Sequence, residues 1–206
     1  MKLSFIRHIK EEFQVIQERD PAIKTPLEVL LYPSFRVMIQ YRKAHKLYLK
    51  GHYFLARWIS QRAARKTGIE IHPGATIGKG LFIDHGSGVI IGETTIIGDN
   101  VTLYQGVTLG GNGKETGKRH PTLEDNVMVG ANTTFTNDKF PRSKNAGWKL
   151  LKTKVCKGAS IGAGSTILPG ITIGENAMVG AGSVVTKSIP AGELWVGNPA
   201  KFLRKI

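Results

Sequence analysis

Cysteine, acidic residues and aromatic side chains are what this 206-residue chain has least of: one Cys, 15 Asp and Glu, and 8% Phe, Trp and Tyr. With Cys156 alone no disulfide can form within the chain, which favours a reducing, cytoplasmic setting. The first apolar residues, Leu3, Phe5 and Ile6, are soon interrupted by His8, Lys10, Glu11 and Glu12. Neither a signal peptide nor a membrane span is expected. Against the few acids stand 29 Lys and Arg, a formal charge of +14, much of it in the first seventy residues and in two insertions. That distribution reads as a solvated basic surface. A nucleic-acid module would add a recognisable motif or aromatic stacking platforms, and neither is present; phosphate-bearing small ligands are the better candidates.

Glycine, by contrast, is abundant, with 25 residues, and it is periodic. From Ile71 onward an aliphatic residue recurs every sixth position with Gly or Asn three places later: Ile71 with Gly74, Ile77 with Gly80, Ile97 with Asn100, Leu103 with Gly106. After interruptions the rhythm returns at Leu123, Val129 and Phe135, and again from Val155 through Ile161, Ile167, Ile173, Val179 and Val185. Gly and Asn tolerate positive φ, so each hexad is expected to be a short strand closed by a tight corner. Three hexads make one triangular coil, and about sixteen make roughly five stacked coils around a continuous aliphatic core. The compact residue after each corner, as in Ala75, Val101, Val107, Ala159, Ser165, Ala177 and Ser183, suits a second inward position.

The first seventy residues follow helical spacing instead. Phe5, Ile6, Ile9, Phe13 and Ile16 form one apolar stripe, and Pro21 and Pro26 break it. Ser34 reads as the N-cap of a second helix carrying Val37, Met38 and Tyr41, with Gly51 just beyond its end. A third helix, from about His52 to Thr67, stops at Gly68 and has Phe54, Leu55, Trp58 and Ile59 on one face. The expected organisation is an α-helical N-terminal cap over residues 1–68, covering one open end of a mainly β solenoid over residues 69–206. External loops are expected near 110–121 and 136–153.

Chemistry is expected where the rhythm breaks. From Ile83 to Ile91 the step is eight residues, so Asp84-His85-Gly86-Ser87-Gly88 bulges from the wall. Between Leu109 and Leu123 the chain inserts a Gly-rich basic loop ending in Lys118-Arg119-His120-Pro121. Each break carries a histidine, the usual general base near neutral pH when a carboxylate or carbonyl fixes its tautomer. Glu70, fifteen residues before His85, is a suitable orienter. A metal site is not expected, because His72, His85 and His120 lack a ligand spacing.

Several long runs resemble the bacterial serine O-acetyltransferases, members of the hexapeptide-repeat acyltransferases. They are Arg19-Asp20-Pro21-Ala22, Gly68-Ile69-Glu70-Ile71-His72-Pro73-Gly74-Ala75, Phe82-Ile83-Asp84-His85-Gly86, Val89-Ile90-Ile91-Gly92-Glu93-Thr94, Tyr104-Gln105-Gly106-Val107-Thr108-Leu109-Gly110-Gly111 and Gly117-Lys118-Arg119-His120-Pro121-Thr122. The resemblance implies a left-handed parallel β-helix that transfers acetyl from acetyl-CoA to L-serine for cysteine biosynthesis, in a homotrimer whose sites lie between subunits. It implies His85 as general base oriented by Glu70, with Asp20, Asp84, Arg119 and His120 gripping the amino acid. Gly111 would offer a backbone N–H to the oxyanion. The groove for acetyl-CoA would be lined by Ala131, Gly162, Ala163, Ala181 and Gly182, with Lys201 meeting its phosphates.

Beyond Ala131 the run from Asn132 to Ser143, and the ending Val196-Gly197-Asn198-Pro199-Ala200-Lys201, resemble N-acetyltransferases acting on nucleotide-linked amino sugars. On that alternative Asn137, Asp138 and Trp148 would serve an amino-sugar acceptor.

Overall fold

The computed structural model describes residues 2–111, 117–141 and 150–206, and the side chains from residue 7 onward. Asn112 in the first insertion and Trp148 in the second lie outside the described residues. Helix α1 (Lys2–Arg19), a 3₁₀ turn (Pro26–Leu31), α2 (Pro33–Leu49) and α3 (Tyr53–Thr67) precede a run of two-residue strands. The strands form three parallel sheets, the faces of a triangular prism. The first face carries Glu70–Ile71, Ile90–Ile91, Thr108–Leu109, Thr134–Phe135, Thr166–Ile167 and Val184–Val185. The second carries Thr76–Ile77, Ile96–Ile97, Thr122–Leu123, Lys154–Val155 and Thr172–Ile173. The third carries Phe82–Ile83, Thr102–Leu103, Met128–Val129, Ser160–Ile161 and Met178–Val179, and ends in the antiparallel pair Glu193–Val196 and Lys201–Lys205.

The hexad explains this shape residue by residue. The aliphatic residue of each strand points inward and is buried, whereas its partner in the pair faces out in almost every strand. The compact residues after the corners, Ala75, Val101, Val107, Ala159, Ser165, Ala177 and Ser183, are buried too and complete the core. Asn100, Asn126, Asn132 and Asn176 take positive φ, as do Gly80, Gly106, Gly158, Gly164, Gly170 and Gly182. Gly74 is an exception, since its φ is not in the left-handed region. A Cβ there would stand 3.0 Å from the Tyr48 ring and from Glu93 Cγ, so a larger residue would press on those two side chains. Leu103 is fully buried at the middle of the stack. Leu103→Ala is expected to cost about 2–5 kcal/mol, because a rigid coil cannot collapse into the void; urea unfolding of the variant against the parent chain measures it.

The cap closes one end of the core. Val37, Met38 and Tyr41 of α2 join the same apolar cluster as Ile69, Ile71, Ala75 and Ile77. Tyr41 donates to the Ala75 carbonyl (2.6 Å), and Arg42 donates to the carbonyls of Ile77 (2.7 Å) and Gly78 (2.6 Å), so the cap satisfies acceptors that no earlier coil can reach. Two expectations about the cap change. The N-cap of α2 is Tyr32 rather than Ser34, because Pro33 takes the first helical position, where its missing N–H costs nothing; Ser34 is buried one position further in. Helix α3 packs through Ala56, Ser60 and Ala63, whose small side chains allow a close approach, and turns Phe54 and Trp58 outward.

Candidate active site

The bulge at 84–88 shows directly in the strand register. Ile90 pairs with Thr108, eighteen residues on, whereas Glu70 pairs with Ile90, twenty residues on. The two extra residues are accommodated by three positive φ angles at His85 (55°), Gly86 (79°) and Gly88 (74°). A left-handed His is uncommon, and strain of this kind collects at functional sites. Its effect here is to expose His85 on the edge where the third face turns into the first.

Asp20, Asp84 and His85 line one cleft, together with Ala22, Tyr32 and Ile83. Asp20 reaches it because α1 ends at Arg19, whose guanidinium donates to Thr102 Oγ1 at 3.0 Å. Asp20 Oδ2 accepts a 2.5 Å hydrogen bond from the Tyr32 hydroxyl, and Oδ1 accepts one from the Ala22 N–H at 2.8 Å. These bonds, the Tyr32 one foremost, hold the Asp20 carboxyl below its ordinary pKa, and the nearby His85 adds a smaller pull in the same direction. The Tyr32 hydroxyl is correspondingly pushed up to about 12. The cleft therefore offers a fixed anion beside an accessible imidazole.

Glu70 makes no hydrogen bond to His85 in this chain. Its carboxylate lies 3.4 Å from Arg57 Nη2 and 3.4 Å from Gln61 Nε2, both on α3. The helical cap thus engages the carboxylate expected to orient the base.

Arg119 and His120 belong to a second cluster, on the edge between the first and second faces. Arg119 Nη2 donates to Glu93 Oε2 at 2.6 Å, and the Tyr48 hydroxyl donates to Glu93 Oε1 at 2.8 Å. Both bonds, Tyr48 first, depress the Glu93 pKa, so the carboxylate aligns the guanidinium. His120 is buried, and burial, assisted by Arg119 and Lys118, lowers its pKa to about 4. Lys118 Nζ donates to the carbonyls of His120 and Pro121, pinning the end of the basic loop. Gly111 adjoins the ring of His120: a Cβ there would lie 2.6 Å from its Cδ2. Neither Tyr32 nor Glu93 carries an identifiable role in the sequence. Glu93 stands inside a matching run, but only coil stacking brings it to Arg119.

The residues expected along the acetyl-CoA groove, apart from Gly111, share the edge that bears His85. Gly106 N–H donates to the Ser87 carbonyl, Asn132 N–H to Gln105, Gly164 N–H to Ala131 and Gly182 N–H to Ala163, so the 84–88 bulge, Gly106, Ala131, Ala163 and Ala181 stack in successive coils. A Cβ on Gly162 would meet Ala181 N at 2.4 Å, so coil contact alone demands that glycine. Gly182 has open space around it. The turn at 197–200 docks on Ser183 and Val184 at the end of this column, and exposed Lys201 follows it. Among the described residues no cluster of His, Cys, Asp and Glu fits a metal ion, and no helix is long and apolar enough to cross a membrane.

Residues 152–187 match the family model described as bacterial transferase hexapeptide (six repeats). The serine acetyltransferase of Helicobacter pylori (strain ATCC 700392 / 26695) is 48% identical over 177 residues, which cover 84% of this chain and 94% of that protein. A match of that length necessarily runs past Ala131 into the later coils. The crystal structure of Neisseria gonorrhoeae serine acetyltransferase in complex with serine superposes with a TM-score of 0.69 at 35% identity, over 97% of this chain and 69% of that one. The Brucella abortus strain S19 serine acetyltransferase in complex with coenzyme A gives 0.69 at 32% identity, over 98% and 68%. With these neighbours and the hexapeptide repeats, the prism of this chain is a left-handed parallel β-helix. With nearly half its residues identical across almost the whole of one such relative, and with the prism and its capping helices in common, the chain belongs to the serine acetyltransferase family.

Proposed function

We propose that this chain catalyses O-acetylation of L-serine by acetyl-CoA, supplying O-acetylserine for cysteine biosynthesis in the cytoplasm. The single observation that carries the mechanism is the separation of the two clusters. The Asp20, Asp84 and His85 cleft occupies the third-to-first edge, and Arg119 and His120 occupy the first-to-second edge. Within one prism the two residue sets therefore lie at different corners. A threefold arrangement sets one edge of each prism against the other edge of its neighbour, so each complete site takes a residue set from two copies.

In this reading Asp20 and Asp84 receive the ammonium, while Arg119 and His120 receive the carboxylate. His85 takes the proton of the serine hydroxyl as its oxygen attacks the thioester carbon, and returns it to the departing thiolate. The Gly111 backbone N–H stabilises the tetrahedral oxyanion. Acetyl-CoA lies along the small-residue column, with Ala131, Gly162, Ala163, Ala181 and Gly182 beside its pantetheine arm and Lys201 at its phosphates. Glu70 orients His85 once its weak contacts to α3 give way. The binding roles predict that His120→Ala raises the KM for serine by about tenfold or more with little change for acetyl-CoA, because it touches one substrate. Equal rises for both would point to collapse of the basic loop. Thiol release from acetyl-CoA, followed with L-serine and with nucleotide-linked amino sugars as rival acceptors, tests the activity; release with the amino sugars alone would overturn it.

A further inference from the structure

The protonation state of His120 can be read from the hydrogen bonds around it. Thr94 Oγ1 accepts from the Arg119 N–H at 3.0 Å and from the His120 N–H at 3.1 Å. A hydroxyl has two acceptor sites and one hydrogen. With both acceptor sites taken, its hydrogen is left for the remaining neighbour, His120 Nδ1, at 2.9 Å. The Thr94 backbone N–H points at the same nitrogen from 3.1 Å, and an amide nitrogen cannot accept. Nδ1 therefore faces two donors and must keep its lone pair. In a neutral imidazole the proton then sits on Nε2.

We propose that Thr94 is a positioning residue that locks His120 as the Nε2–H tautomer, a dedicated hydrogen-bond donor that cannot act as a base. Protonation at Nδ1 would have to expel both Thr94 donors from a buried site. Gly92 and Gly111 complete the device: a Cβ would lie 2.0 Å from Nε2 at Gly92 and 2.7 Å at Gly111, so only glycine leaves the ring this position. The ligand that such a nitrogen selects, beside the guanidinium of Arg119, is an acceptor-only anion such as a carboxylate. An acceptor alcohol without a carboxylate, such as ethanolamine, leaves the His120 Nε2–H unmatched. The lock itself rests on the hydrogen bonds alone; its consequence for the acceptor rests on the proposed serine reaction.

Nitrogen-15 NMR of the whole protein, labelled at histidine, reads the tautomer without any substrate. The expected result is a His120 signal of the Nε2–H form that persists as pH is lowered through 6. A signal of the Nδ1–H form, or protonation with an ordinary histidine midpoint, overturns the lock. Thr94→Val removes the hydroxyl donor and keeps the backbone one, so it should admit a measurable share of the Nδ1–H form beside the Nε2–H form and raise the KM for serine about tenfold relative to that for acetyl-CoA, and Thr94→Ser should reverse both. A Thr94→Val protein with the parent tautomer and parent KM also overturns it. A parent chain with the locked tautomer but no acetylation of serine would instead sink the proposed reaction and leave the lock standing.

Discussion

Replacing His85 by alanine is expected to lower kcat for serine acetylation about a hundredfold or more, while the protein stays folded. A general base contributes about 10²- to 10⁴-fold when it takes a proton in the transition state. The fold predicts little structural cost, because His85 is exposed in a bulge and contributes nothing to the core. Its left-handed φ of 55° is itself uncomfortable for a side chain, so His85→Gly should be at least as stable as the parent and equally inactive. Steady-state kinetics with saturating acetyl-CoA, beside thermal melts of both variants, check this. A His85→Ala protein with unchanged kcat removes His85 from the mechanism.

Mixing two defective chains is expected to restore activity when serine is kept well below the raised KM of the His120→Ala chain, where each variant alone turns over slowly. If each site combines His85 of one prism with His120 of the next, equal amounts of His85→Ala and His120→Ala chains, denatured and refolded together, form mixed trimers. In these about one quarter of the interfaces bring an intact His85 against an intact His120, so activity should recover to about a quarter of the parent level. Sites contained within one chain would regain nothing, since every chain lacks one histidine. The comparison needs only the two variants assayed alone, mixed without unfolding, and mixed after co-refolding. Recovery confined to the co-refolded sample would establish the shared site, and its absence in folded trimers would overturn it.

The pH response of His120 sets its role apart from that of a general base. His120 has its pKa lowered to about 4, so a shift from an ordinary value near 6.5 makes its contribution to stability present above that range and lost as pH falls through about 4. It stays neutral across the range in which a general base would titrate. A fall in kcat near pH 6 to 7 therefore cannot come from His120.

Much of the fold was legible because its signal repeats. An aliphatic residue every sixth position and, at most corners, a Gly or Asn three residues later are purely local requirements, and they recur between the breaks from Ile71 to Val185. The breaks were legible for the same reason, since an eight-residue step in a six-residue rhythm must leave the wall. Local signals failed where a neighbour, in sequence or in space, decided the outcome. Ser34 has the chemistry of an N-cap, but Pro33 starts the helix before it. Trp58 and Phe54 have the chemistry of a core, but the close contact of α2 and α3 is made by Ala56, Ser60 and Ala63.

The amino-acid sequence by itself determined that the chain is a coiled prism with a helical cap, and that Asp84-His85 and Arg119-His120 stand outside its rhythm, because both follow from spacing along the chain. Tertiary structure alone decided the partners. Glu93 meets Arg119 across twenty-six positions, Thr94 meets His120 across the same interval, and Tyr32 meets Asp20 through the 3₁₀ turn. Those contacts depend on which coil lies above which and on how many residues each loop removes from the stack. Hydrogen bonds and burial then set what each side chain can do: they keep Asp20 charged, hold His120 neutral with its proton on Nε2, and leave His85 exposed.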